Sequence, residues 1–259
     1  MFLCVSLRYV TLLFFWCLRS YRHNNNQQPL NRKTTPAHKY LITSYQSHHC
    51  IMAAFEDSTN FLETLAPQIE AKRTLAYEYA MPDCEGWEET WQKHGITASK
   101  RNMDGNAICV RGQTNYPNTT PLAILKTIQN VTEVDDAMKQ HDFLAKLSPT
   151  VAIEHVFVNV PWPVTPRDGL SACFIDVLED GTVSQISFGI ECDAVCPPIK
   201  GHIRSDLTIA AYIMKPDGQG GTNATYMLQV RYCGGSQCEV TRTLSSDTRL
   251  HYSLSDSLQ

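Results

Sequence analysis

Chemistry in this chain has to come from a few polar residues set in apolar surroundings. Arg167 and Asp168 follow Pro161, Pro163 and Pro166, which fix φ and bar helix, so the chain runs extended into a strand that begins at Leu170. Neighbours on a strand point to opposite faces, so this arginine and this aspartate each seek a separate partner. Glu154 is a lone carboxylate on a mostly apolar strand, Val151–Val158, where it is either raised in pKa or turned to solvent. Arg204 has Asp206 and Glu191 available for a surface ion pair. Cys192, Cys196 and His202 raise the question of zinc. The Cys-x₃-Cys spacing is permitted, but Pro197-Pro198 stiffens the segment and no fourth ligand is placed, so no metal is assigned. No glycine-rich elbow supports a Cys/His nucleophile, and no phosphate-cradling glycine loop is present. No cofactor is expected.

The chain has 259 residues, 43% of them hydrophobic and 19% charged, enough for one sizeable core. The net charge is −4 and the basic residues form no stripe with interleaved aromatics, so nucleic acid is not an expected partner. Ten cysteines, scattered from Cys4 to Cys238 without framework spacing, read as reduced thiols of a cytosolic protein. Sequons at Asn118, Asn130 and Asn223 matter only if the chain is secreted.

Residues 1–51 read as a non-globular extension. Val10–Leu18 is apolar, but Arg8 and Arg19 flank it and it is about half the ~20 residues that span a bilayer. No small-x-small cleavage site precedes the polar run from His23, and Met52-Ala53-Ala54 looks like a natural start. Three readings stand: an upstream extension absent from the native product, a targeting or anchoring segment that would make the chain secretory or membrane-associated, and a disordered arm.

From Ser58 the helical period begins, with Phe61, Leu62, Leu65 and Ile69 as an apolar stripe interrupted by Pro67. Trp87 and Trp91, one turn apart, place a helix over Cys84–His94 that Gly95 ends, with both indoles in the core. Ile96–Arg101 and Ala107–Thr114 read as strands joined at Asp104-Gly105-Asn106. Thr120-Pro121 starts a helix with Leu122, Leu125 and Ile128 on one face. Met138, His141, Leu144 and Leu147 stand at core spacing and predict a helix over Asp135–Leu147, with His141 a satisfied helix histidine. Beyond the proline run the chain reads as all strand: Val183–Glu191, His202–Ile213 and Thr222–Val230, with turns at Asp180-Gly181 and at Pro216–Gly221.

The run Pro163-Val164-Thr165-Pro166-Arg167-Asp168, with Leu147-Ser148-Pro149 before it and Gly201-His202-Ile203-Arg204-Ser205 after it, resembles the Pro-x-x-x-Arg-Asp signature and element order of the START family. These are the steroidogenic-acute-regulatory-related lipid-transfer domains. The resemblance covers Trp87 to Val230 and implies an α+β helix-grip fold: a twisted antiparallel sheet, with N-terminal and central helices, around a lipid tunnel. The folded domain is expected over residues 52–233.

What the resemblance implies for function is binding of one lipid or sterol-like molecule, phospholipid or sterol, and its intracellular transfer. The carrier is expected to be a cytoplasmic monomer touching membrane surfaces transiently, not an enzyme. The implied lipid-binding residues are Glu154, Arg167, Asp168, Cys173 and Arg204, with the Arg167-Asp168 pair orienting strand and loop and Arg204 near the tunnel mouth facing a headgroup. Sterol-type members carry an arginine where Cys173 stands, so a cavity salt bridge is not available at that place, which argues against a sterol. Polyketide cyclases and aromatases share the helix grip, and an enzyme of that kind would use Glu154, His155 and Asp206. Residues 234–259 depart from the family's long amphipathic lid helix, being rich in Ser, Thr and Asp. An impaired carrier, as from an incomplete or truncated gene product, is expected on that ground.

Overall fold

The structure, a computed structural model, describes residues 58–104, 107–134, 138–158, 165–193 and 196–231. The expectations for residues 1–51, for the proline run at 161–163 and for the tail 234–259 lie outside the described residues.

Helix α1 (Ser58–Ala80) runs through Pro67. A proline there removes one helical hydrogen bond. Leu65 and Ile69 on either side of it are buried, as are Ala76 and Tyr79, so tertiary packing holds the helix where propensity is weak. Arg73 fastens α1 to the sheet. Its guanidinium bonds both carboxylate oxygens of Asp176, at 2.9 and 3.2 Å, and lies 5.3 Å from the centre of the Phe174 ring.

The strands are β1 (Glu88–Lys93), β2 (Ile96–Asn102), β3 (Ile108–Tyr116), β4 (Met138–Lys146), β5 (Val151–Val158), β6 (Arg167–Val177), β7 (Val183–Gly189), β8 (Ile203–Arg204), β9 (Asp206–Pro216) and β10 (Thr222–Arg231). Between β3 and β4 lie α2 (Pro121–Gln129) and the short α3 (Val131–Val134). The sheet runs β1-β2-β3-β10-β9-β7-β6-β5-β4, antiparallel throughout, and β8 adds parallel to the start of β6. Pro121 occupies the first turn of α2 and the Thr120 side chain accepts from the Ala123 amide, the cap that the sequence suggests.

Strand alternation divides the core in two. On one face, α1 packs with Phe174, Ile186, Phe188, Ile209 and Met227. On the other, Ile124, Leu125 and Ile128 of α2 pack with Ala152, Ile175, Val183 and Met214. This is the α+β helix-grip arrangement expected from the sequence. Among the described residues no helix is long and apolar enough to cross a membrane.

Three elements differ from expectation, each for a local reason. The segment taken as a helix over Cys84–His94 is β1, closed onto β2 with Lys93 opposite Ile96. His94 and Gly95 both have positive φ, 55° and 77°, so Gly95 completes a two-residue hairpin turn and does not end a helix. Trp91 lies half-buried on β1, and Trp87 sits before it, edge-on to Tyr79 at 5.9 Å. The expected helix over Asp135–Leu147 is β4. Register shifts between Met138 and Gln140 and between Phe143 and Ala145 each insert a residue, which turns period-two alternation into a spacing of three. Finally, His202–Ile213 is two strands. Ile203 N–H donates to Pro166 O at 3.0 Å and Ser205 N–H to Asp168 O at 2.7 Å, drawing β8 onto β6 before β9 joins β7 and β10.

Where β7 ends, backbones approach closely. A Cβ on Gly189 would stand 2.9 Å from the Leu207 carbonyl oxygen and 3.2 Å from its nitrogen, next to the bulge that β9 makes against β10. Gly189→Ala is therefore expected to cost about 1–3 kcal/mol by overpacking. Denaturant unfolding with an unchanged midpoint would show that the two backbones part freely.

Candidate functional site

Two polar clusters use the same strands from opposite sides, because Glu154 and His155 are successive residues of β5. On the α1 face, Asp168 is fully buried. Its Oδ2 accepts from Arg204 Nε at 2.8 Å and lies 3.1 Å from His155 Nε2. Arg204 also donates to the carbonyl oxygens of Cys196 at 3.2 Å and Pro197 at 3.4 Å, and stands 3.8 Å from Asp193. Burial works to raise the Asp168 carboxyl, but the hydrogen bonds of Arg204 and His155 and their charges outweigh it and hold it below its ordinary value. The His155 ring packs 4.4 Å from Phe157, which meets His202 edge-on at 5.7 Å. The cluster joins β5, β6, β8 and the segment at Cys196.

On the α2 face, Glu154 is 5% exposed. His141 Nε2 of β4 lies 2.9 Å from Oε2, and the Ser171 hydroxyl of β6 donates to Oε1 at 3.0 Å. Burial pushes the carboxyl up; the hydrogen bond and charge of His141, with the hydroxyls of Ser187 and Ser171, together bring it below its ordinary value. For His141, burial works to lower the imidazole, and Glu154's hydrogen bond and charge, with Asp142's charge, prevail and raise it. An imidazolium–carboxylate pair follows. Cys173 lies beside it, opposite both Ala152 and Ser187 in register, and burial first, then the Glu154 charge, push its thiol well above the usual range.

These geometries correct three sequence readings. Glu154 is neither raised in pKa nor turned to solvent, and it is not alone. Arg204 pairs with Asp168, whereas Asp206 is taken by Arg231 at 3.0 Å; Glu191 is not its partner. His141 is a strand residue and Glu154's counter-ion, so the cation that Cys173 cannot supply comes from β4. That partnership was missed because the bulged strand imitates helical spacing. The turn signal Leu147-Ser148-Pro149-Thr150 between two apolar runs could have revealed a hairpin that brings residues 141 and 154 side by side.

Arg167 and Asp168 do part to separate partners: Arg167 donates to the Thr165 carbonyl, in contrast to the buried aspartate. Among the described residues no group of three His, Cys, Asp or Glu is placed to hold a metal ion, Cys192, Cys196 and His202 included.

A ten-stranded antiparallel sheet gripping helices, with the Arg-Asp pair at the head of β6, defines the helix-grip class. The START domain model matches residues 73–254, well over half of the chain, and the chain belongs to the START domain family. Among solved structures, human StAR-related lipid transfer protein 5 is similar with a TM-score of 0.61 at 18% identity, over 71% of this chain and 89% of that one. Human STARD10 follows with a TM-score of 0.56 at 17% identity, over 68% and 76%. The lipid transfer and protein localization domain of human StarD13 (DLC2) has a TM-score of 0.53 at 17% identity, over 74% and 87%. These likenesses establish the fold. The uncharacterized protein PA1579 of Pseudomonas aeruginosa is 34% identical over 80 residues, or 30% of this chain, and the chain spans 38% of that relative's length.

Removing Asp168 leaves Arg204 and His155 facing each other without the buried carboxylate between them, and Arg204 keeps only the exposed Asp193 at 3.8 Å. Asp168→Ala is expected to lose about 3–5 kcal/mol of stability, and Arg167→Ala about 1 kcal/mol or less. Equal losses in the two variants, measured by chemical denaturation, would contradict the assignment.

The pair on the other face has its own pH window. His141, raised in the folded state, stabilises fully below its ordinary 6.5 and loses that contribution as pH rises through the folded value. Glu154, depressed, stabilises above its ordinary 4.5 and loses the contribution as pH falls through the folded value. Stability from the pair is therefore greatest between those two values. In Glu154→Gln the decline on the alkaline side is expected to flatten, and NMR titration of His141 should move toward the ordinary value; an unchanged titration would sink the pairing.

Proposed function

We propose that the chain binds a single lipid or sterol-like molecule in an apolar tunnel along the α2 face of the sheet and carries it between membranes, without covalent chemistry. Membership of the START domain family supports the lipid ligand, as does the likeness to human StAR-related lipid transfer protein 5. The observation that carries the finer reading is the row Glu154, His141, Ser171, Ser187 and Cys173, polar groups that share the α2 face with Gln185 and an apolar cluster. An apolar body of ~400 Å² buried at ~25 cal/mol per Å² supplies on the order of 10 kcal/mol before ordering costs. The row then orients it.

We assign Glu154 and Cys173 to the ligand side, together with His141 and Ser171. Arg167, Asp168 and Arg204 belong to the frame that sets β6, since the Arg204 guanidinium is engaged by Asp168 and two carbonyl oxygens. The row suits a neutral lipid bearing a hydroxyl or carbonyl, because an anionic headgroup would meet the Glu154 charge. The presence of His141 removes the objection to a sterol that Cys173 raised.

Native mass spectrometry of the chain purified from cells is expected to show one co-bound neutral lipid, and liposome assays its transfer. Glu154→Gln is expected to weaken retention of a hydroxylated lipid about tenfold, the order of one lost charge-assisted hydrogen bond. A folded chain that carries no lipid and transfers none would overturn the proposal; a phospholipid would overturn only the neutral-ligand part.

A further inference from the structure

Two thiols outside the polar row stand in a different arrangement from the other described cysteines. Cys84 lies half-buried ahead of β1, 3.3 Å from Arg101 Nη1, and Cys109 and Cys173 are buried within strands. Cys192 and Cys196 lie in the connection from β7 to β8, and the Cys196 N–H donates to the Cys192 carbonyl at 3.0 Å. A bond from residue i+4 back to residue i sets the two Cα atoms about 6 Å apart, as in one helical turn. Disulfides form when that separation is about 4.4–6.8 Å. Both side chains lie against the same apolar cluster, Cys192 half-buried and Cys196 buried.

We propose that Cys192 and Cys196 are a redox-modification site that closes reversibly to an intramolecular disulfide in exchange with a low-molecular-weight disulfide such as oxidised glutathione. The accessible Cys192 thiolate attacks one sulfur of the glutathione disulfide, whose S–S bond breaks, and the departing glutathione thiolate takes up a proton. Cys196, as its thiolate, then attacks the Cys192 sulfur and expels the second glutathione, which is protonated in turn. The two cysteines lose two electrons and two protons in all, and one glutathione disulfide becomes two glutathiones. Arg204 Nη2, 3.8 Å from Cys196 Sγ, favours the thiolate in the second attack. Burial, which pushes the Cys196 thiol up, makes Cys192 the first to react.

The consequence falls on the α1-face cluster. Arg204 is held by the Cys196 carbonyl and in turn holds Asp168, so a bridge here fastens the segment that presents Arg204 to β6. The bridge forms whether or not a lipid is bound.

The test uses the full chain, equilibrated in glutathione buffers from fully reduced to fully oxidised, alkylated and mapped by peptide mass. The expected result is a Cys192–Cys196 bridge with a mass loss of about 2 Da. A rise in Tm of about 4–8 °C is expected with it, from closing so short a loop in the unfolded chain. Added thiol reverses both, Cys192→Ser and Cys196→Ser abolish the rise, and Cys84→Ser leaves it. A lasting glutathione adduct on Cys192 with Cys196 still alkylatable would overturn the proposal. So would a pair that stays reduced in the native chain under every buffer.

Discussion

The buried Asp168 carboxylate is the constraint around which this fold closes. A carboxylate with no solvent contact is tolerable only with charged or strongly donating partners, and here they come from Arg204 and His155. Pairing its Oδ2 brings β8 beside β6 and ties β5 across it, while Oδ1 stays buried without a hydrogen-bond partner among the described residues. The backbone follows the side chain: Ser205 N–H bonds the Asp168 carbonyl at 2.7 Å, and the strand that would otherwise run unbroken from His202 divides in two. A short parallel pair in an antiparallel sheet is poorly stabilised by its own ladder. Its place depends on the ion pair.

The same strands perform a second task on their other side. Glu154 and His155 are neighbours, and alternation sends one to each face. A register slip of one residue would exchange them, placing Glu154 against Phe157's neighbours and His155 among the serines. The bidentate contact from Arg73 to Asp176 at the far end of β6 resists such a slip by fixing that strand against α1. Frame and polar row are thus coupled through β5 and β6, although no residue belongs to both.

Legibility in the sequence followed how locally each feature is specified. Alternation from Val151 onward, with turns at Asp180-Gly181 and Pro216–Gly221, made that half of the sheet readable, except that β8 and β9 read as one strand. Pro163–Asp168 carried the family. What escaped was set by single residues acting against the usual period. A positive φ at His94 converted a glycine stop into a hairpin, and two bulges in β4 gave a strand the spacing of a helix. Losing β4 meant losing His141, and with it the reason Glu154 can remain ionised inside the protein. The Arg204–Asp168 contact spans a long sequence separation and has no periodic trace.

The exchange of cation type in the row has a physical consequence of its own. A guanidinium would neutralise Glu154 at every accessible pH, whereas an imidazolium does so only while it is protonated. Above the His141 titration the pair still shares a hydrogen bond, but the carboxylate keeps its charge against two serine hydroxyls and a neutral thiol. That state is costlier to bury, since hydroxyl dipoles offset a charge less completely than a counter-ion does. A ligand hydroxyl donated to Glu154 would therefore stabilise the row most when His141 is neutral. Were such a ligand bound, its occupancy and the protonation of His141 would be linked, each biasing the other by the same free energy.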